Sequence, residues 1–176
     1  MTVEQVFEIA PLERNARVLT ALIATFSIGG SVYLAVKGVG LVLVVGVPTL
    51  FVGLLVVPLA MAPTGYAVGA GELAVTRRAL RPLLFPLGSL AAARPTAMPR
   101  SWRRSGSGGL GGFWGTWTNR DWGRFKIYAS DRRHGVLLEW PGFKLFVSPT
   151  DRDGFCQAVL ARSAGSGKDR TPPGTP

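Results

Sequence analysis

Residues 18–62 carry one charged side chain, Lys37, in a chain of 176 residues. Within that stretch, residues 18–36 (VLTALIATFSIGGSVYLAV) and 41–62 (LVLVVGVPTLFVGLLVVPLAMA) hold no charge. A helix without a polar face must be buried or lie in lipid. As helices the two would be about 28 and 33 Å long, against about 30 Å for the hydrocarbon core of a bilayer. The pattern therefore predicts a two-helix transmembrane hairpin turning at Lys37-Gly38-Val39-Gly40. Arg14 and Arg17 precede it, Arg77, Arg78 and Arg81 follow it, and only Lys37 sits in the turn. By the positive-inside rule both termini are expected in the cytoplasm, at the cell inner (plasma) membrane. A cleaved leader is the rival reading of the first stretch. Three glutamates before it, and Pro63 directly after Ala60-Met61-Ala62, argue against cleavage.

Small residues recur along both stretches. Ser27, Ser31 and Ala35 are four apart, and Gly46 and Gly53 are seven apart. They are the candidate residues for close helix contact, although small residues are common in membrane helices generally. Pro48 and Pro58 are tolerable in such helices. No charge lies within either stretch, which argues against a transporter or proton channel.

The remainder is a different material. The chain carries a net charge of +10, and the excess lies in residues 63–176. An apolar front joined to a basic back excludes an ordinary soluble enzyme. One cysteine excludes a disulfide scaffold. From Pro63 short apolar runs alternate with turn residues, the signature of a small sandwich or barrel. Tyr66–Val68 and Leu73–Thr76 flank a Gly-containing turn. Leu83–Leu87, Leu90–Arg94, Phe125–Ala129, Val136–Trp140 and Lys144–Val147 read as further strands. Ser148-Pro149-Thr150-Asp151 supplies N-cap candidates for a helix over 151–162. Phe155, Cys156, Val159 and Leu160 would form its buried face. Residues 163–176 read as a disordered tail. Residues 1–17 form a cytoplasmic N-terminal segment, whose first 13 residues fit either an interfacial helix or an added strand. The domains expected are thus 1–17, the hairpin at 18–62, a β domain with its helix at 63–162, and the tail.

Two apolar stretches, a run of short strands and one closing helix resemble the bacterial PH-like (pleckstrin-homology-like) membrane proteins. The phrases that carry the resemblance are Gly65-Tyr66-Ala67-Val68 with Gly71-Glu72-Leu73-Ala74-Val75, Gly111-Gly112-Phe113-Trp114-Gly115, Phe125-Lys126-Ile127-Tyr128-Ala129, and Val147-Ser148-Pro149 with Asp151 and Phe155. Arg94–Gly109 fits least and looks like an insertion or long loop. The resemblance implies a partly open β barrel capped by a helix and no enzymatic activity. The expected fold class is a membrane-anchored α+β protein: a two-helix transmembrane hairpin, then a small PH-like β barrel or sandwich with a C-terminal helix.

Few residues suit catalysis. One histidine, His134, and one cysteine, Cys156, do not make a zinc site. Ser105–Gly112 is Gly-rich but lacks the Gly-Lys-Ser/Thr ending of a phosphate loop. No catalytic residue, metal or cofactor is assigned. Basic and aromatic residues together stand above background: Arg100, Trp102, Arg103 and Arg104, then Trp114, Trp117, Arg120, Trp122 and Arg124. Arg77, Arg78, Arg81, Arg103 and Arg104, with Trp102 as interfacial anchor, are the candidate residues for binding anionic lipid or a protein partner. The rival reading gives part of this charge to topology and solubility, with Trp114 and Trp140 filling the core. The alternative function is a scaffold or assembly subunit of a membrane complex without lipid recognition. Nucleic acid is disfavoured as a partner, and homo-oligomerisation is left open.

Overall fold

The computed structural model describes residues 4–11, 56–69 and 71–166, with scattered positions between 18 and 53. Ten strands and a C-terminal helix make up the β domain. β1 (Gln5–Glu8), β2 (Pro63–Val68), β3 (Glu72–Arg77) and β4 (Leu83–Pro86) form an antiparallel sheet in that order. The second sheet has the order β5-β9-β10-β8-β7-β6. It comprises β5 (Ala92–Thr96), β6 (Trp102–Gly108), β7 (Phe113–Asn119), β8 (Gly123–Ala129), β9 (Gly135–Trp140) and β10 (Phe143–Val147). Its pairs are antiparallel except β10 with β8, where Leu145 stands opposite Lys126.

The expected transmembrane hairpin is corrected. Among the described residues no helix is long and apolar enough to cross a membrane. A span needs about 20 consecutive apolar residues in one helix. Described side chains there, among them Phe26, Ile28, Val32, Leu50 and Val57, are exposed.

What the structure does contain is the two-sheet β domain with its C-terminal helix. Period-two alternation sorts its core. Tyr66, Val68, Leu73 and Val75 from the first sheet meet Tyr128, Val136, Leu138, Leu145 and Val147 from the second. Phe125, Ile127 and Phe146 point to the opposite face and form a second cluster with Phe113 and Trp117, against which Met98 and Trp122 pack. The six-stranded sheet is therefore covered on both faces.

The N-terminal segment is a strand. β1 pairs with β2, from Gln5 opposite Val68 to Glu8 opposite Gly65. Only Phe7 of its four residues is buried, so the local pattern was too short to separate strand from helix. The segment is then sewn to the end of β10. Ala10 N–H donates to Ser148 O at 2.9 Å, and Thr150 N–H to Glu8 O at 2.9 Å. Ser130 Oγ donates to Ala10 O. Residues 11–62 thus leave and re-enter the sheet at adjacent strands.

The helix Arg152–Ser166 begins where the cap candidates placed it. Asp151 is the cap: its Oδ1 accepts from Gly154 N–H at 2.9 Å. Phe155, Cys156 and Val159 are buried, whereas Leu160 is 41% exposed, which corrects its place on the packed face. The helix rests on β5, β2 and β9. It runs on to Ser166, and residues 167–176 lie outside the described ones.

Arg94–Gly109 is not a long loop. It supplies the end of β5 and all of β6. β6 (WRRSGSG) has no apolar alternation and lies at the sheet edge, so its strand character comes from pairing with β7. Pro95 is tolerated because β5 is the opposite edge.

Candidate functional site at a basic sheet edge

The structure separates aromatic residues that fill the core from those that face outward. Trp140 is buried, its Nε1 donating to Pro86 O at 2.8 Å. Trp117 is buried edge-on to Phe113, and Trp122 stacks on Phe146 at 5.8 Å. Trp114 is half-buried against the first core cluster. Trp102 alone among the five is largely exposed, at 58%. The mixed basic and aromatic signal in β7 and the turn after it is thus mostly packing.

Trp102, Arg103 and Arg104 open β6 and are all exposed. A register shift falls between Arg103 and Ser105, so Arg104 is the residue left out of the ladder. Bulges twist an edge strand and re-aim its side chains. Arg103 lies back along the strand, its Nη1 3.3 Å from where a Cβ on Gly108 would stand. The edge therefore carries two guanidinium groups and one indole, with no strand beyond them among the described residues.

The other arginines lie elsewhere. Arg77 ends β3 opposite Pro63, and Pro63 lies beside Gly112 in the β6–β7 turn. Trp102 is at the far end of that hairpin, about 20 Å away at 3.3–3.4 Å per residue. Arg77 is folded back on its own loop, with Nε and Nη2 donating to Arg81 O at 3.1 and 2.5 Å. Burial pushes the Tyr128 phenol up, and the Arg77 charge opposes that rise. Arg78 and Arg81 are exposed. The structure thus brings Trp102, Arg103 and Arg104 together and sets Arg77, Arg78 and Arg81 apart as a second basic group.

The helix-contact candidates divide as well. Ser27, Ser31 and Ala35 lie outside the described residues. A Cβ added at Gly46 or Gly53 would meet nothing within 4 Å.

His134 and Cys156 do not meet as a catalytic pair in sequence or contact. His134 is exposed in the β8–β9 loop with Nδ1 2.8 Å from Asp131 Oδ2. The Cys156 thiol is pushed up to about 11, first by burial and then by the Asp153 charge. At neutral pH its thiolate population should be about a hundredfold below that of the unfolded chain. Iodoacetamide should accordingly label the native chain far more slowly than the denatured one. Equal rates would show that the helix leaves its packed position readily.

Residues 85–163 match the family model of the bacterial PH domain. No curated protein and no solved structure matches the chain. The PH-like match opens within β4 and closes in the C-terminal helix, so it takes in the whole six-stranded sheet. It supports the PH-like part of the resemblance and says nothing of a membrane protein. PH-like domains in general bind lipids or proteins, and the basic edge strand β6 lies inside the matched range.

Proposed function

We propose that this chain is a non-enzymatic binding module whose PH-like domain docks on an anionic surface through Trp102, Arg103 and Arg104. The observation that carries the reading is the exposed indole at the start of an edge strand, followed directly by two exposed arginines. Trp suits the headgroup level of a bilayer. Each Lys or Arg near an anionic leaflet adds about 1 kcal/mol of attraction. Arg78 and Arg81 form a second basic group that strengthens the same long-range field, with Arg77 shaping their loop. The net charge of +10 favours such a surface over a neutral one. We place the module at the cytoplasmic face of the inner membrane, where the leaflet is anionic. The exposed apolar side chains at Phe26, Val32 and Leu50 favour contact with lipid or protein over water. In this reading the module is residues 63–162, joined by β1.

The test is co-sedimentation of the full-length chain with neutral and anionic vesicles at low and high salt. Phe7 belongs to the core, so a fragment starting at Pro63 would be an unsuitable probe. Binding should require anionic lipid and fall with salt. Arg103→Glu with Arg104→Glu should weaken it by about tenfold or more. Binding that ignores both salt and charge reversal overturns the lipid role of this edge and leaves a protein partner to be sought there.

A further inference from the structure

β1 fills a slot between two walls. One wall is β2, paired with it from Gln5 opposite Val68 to Glu8 opposite Gly65. The other is the segment 148–150. Ser148 O accepts from Ala10 N–H and Glu8 O accepts from Thr150 N–H, both at 2.9 Å, and Ile9 bridges Pro149. Ser130 Oγ donates to Ala10 O at the far end. The floor is apolar. The Phe7 ring stands edge-on to Phe155, 5.2 Å between centroids, and Ile9 packs on the same core cluster. Val6 and Glu8 between and beside them are exposed. The slot therefore holds an extended segment by its backbone and by inward side chains at alternate positions.

The two walls are tied to each other without help from β1. Tyr66 of β2 is fully buried. Its hydroxyl donates to Tyr128 O at 2.7 Å and accepts from Ser148 N–H at 3.0 Å. Ser148 Oγ accepts from Ser130 N–H at 2.8 Å. Burial pushes the Tyr66 phenol up, so it stays a protonated donor. One phenol thus clamps β2, β8 and the end of β10 around the slot. β1 is held differently. Phe7 is its single buried side chain, and residues 9–62 separate it from β2. A tight turn confines a strand to its own sheet, whereas a connection of that length reaches a neighbouring copy.

We propose that the slot also accepts residues 4–10 of a second copy of this chain, so that two copies exchange their N-terminal strands. The occupant follows from what fills the slot already. The same segment of another copy presents the same backbone groups, the same Phe7 and the same Ile9. Own and exchanged strands make identical contacts with the slot, so the choice between them rests on effective concentration. Reciprocal exchange closes as a two-fold dimer and leaves neither slot empty. No residue of the basic edge takes part, so this proposal and the surface-binding reading stand or fall separately.

The test uses full-length chains. Val6 and Ala67 stand opposite each other across the β1–β2 pair, within the reach of a disulfide. A Val6→Cys chain is mixed with an isotopically heavy Ala67→Cys chain at a concentration on the order of millimolar, then oxidised. Mixing is done both with folded chains and by joint refolding from urea, so slow release of the strand does not hide exchange. Cys156 is buried in both chains, and peptide mass mapping counts only links between positions 6 and 67. Leu84→Cys replaces Ala67→Cys as the control. Leu84 lies in the same cross-strand row and is 60% exposed, but it is on β4, about 14 Å from position 6 and beyond disulfide reach. Random collision favours the exposed control over the buried Ala67. Exchange should instead make the Ala67 link at least about tenfold more abundant than the Leu84 link, rising with protein concentration. Adding Phe7→Ala to the Val6→Cys chain removes the anchor of the donated strand and should cut that link at least about tenfold. An Ala67 link no more abundant than the Leu84 link overturns the proposal, and so does one that is indifferent to Phe7→Ala.

Discussion

A Phe155→Ala variant is expected to lose about 3–5 kcal/mol of stability. Against a typical total of about 5–15 kcal/mol for a single domain, that is enough to populate the unfolded state. Phe155 is fully buried and is the point where three separate pieces of the chain meet. Its ring stands edge-on to Phe7 of β1, 5.2 Å between centroids at 88°. It also stands 5.8 Å from Tyr66 of β2. Removing it opens a cavity between helix and sheet and loosens the only apolar anchor of β1. Urea unfolding of the full-length chain measures the loss. Leu160→Ala, one turn further along the same helix at a position 41% exposed, serves as the comparison. It should cost within about 0.5 kcal/mol, as surface substitutions do. Equal effects at the two positions would mean that the helix is not docked in the register described.

The second large effect is expected at Gly106. It stands opposite Gly115 in the β6–β7 ladder, and both have positive φ, 98° and 113°. A Cβ at Gly106 would lie 2.0 Å from Trp114 O and 2.8 Å from Gly115 Cα. Backbone on backbone leaves nothing that can rotate away. Gly106→Val combines a disfavoured φ with overpacking, about 2–6 kcal/mol together. Its expression is local: β6 should detach, with faster hydrogen exchange in β6 and β7 than in β9 and β10. Gly123→Ala separates the two causes. Gly123 also has positive φ, 69°, but a Cβ there would meet nothing within 4 Å, so only the backbone cost of about 1–3 kcal/mol applies. If Gly106→Val were as mild as Gly123→Ala, the close Gly106–Gly115 approach would be refuted. Because β6 carries Trp102, Arg103 and Arg104, Gly106→Val should also weaken vesicle binding without altering any basic residue.

The Gly-rich segment shows where reading residue types along the chain falls short. Ser105–Gly112 has the composition of a flexible loop, yet Gly106 within it is required for a tight strand pair. The reason is nonlocal: Gly106 is small because Gly115, nine positions later, must touch it. The same holds for the tryptophans. Trp102 and Trp117 both read as tryptophan in a basic stretch, and they sit in neighbouring cross-strand pairs of one hairpin, Trp102 opposite Thr118 and Trp117 opposite Arg103, yet only Trp117 faces the second core cluster. The slot that holds β1 was not legible either. Tyr66 and Ser148, which join its two walls, are 82 positions apart in the chain, and only the tertiary fold brings them together.

By itself the sequence determined the strands with alternating or continuous apolar runs, β2, β3, β8, β9 and β10, and the helix that starts after Asp151. In each of these, local side-chain pattern and burial agree. It also determined the excess positive charge and the shortage of catalytic side chains. The tertiary structure decided that Gln5–Glu8 is a strand, because four residues with one buried side chain specify nothing until β2 lies beside them. It decided that the apolar stretches after Arg17 present no helix, among the described residues, long enough to span a bilayer. Which arginines share a surface is likewise set by strand order, since Coulomb forces act through space and not along the chain.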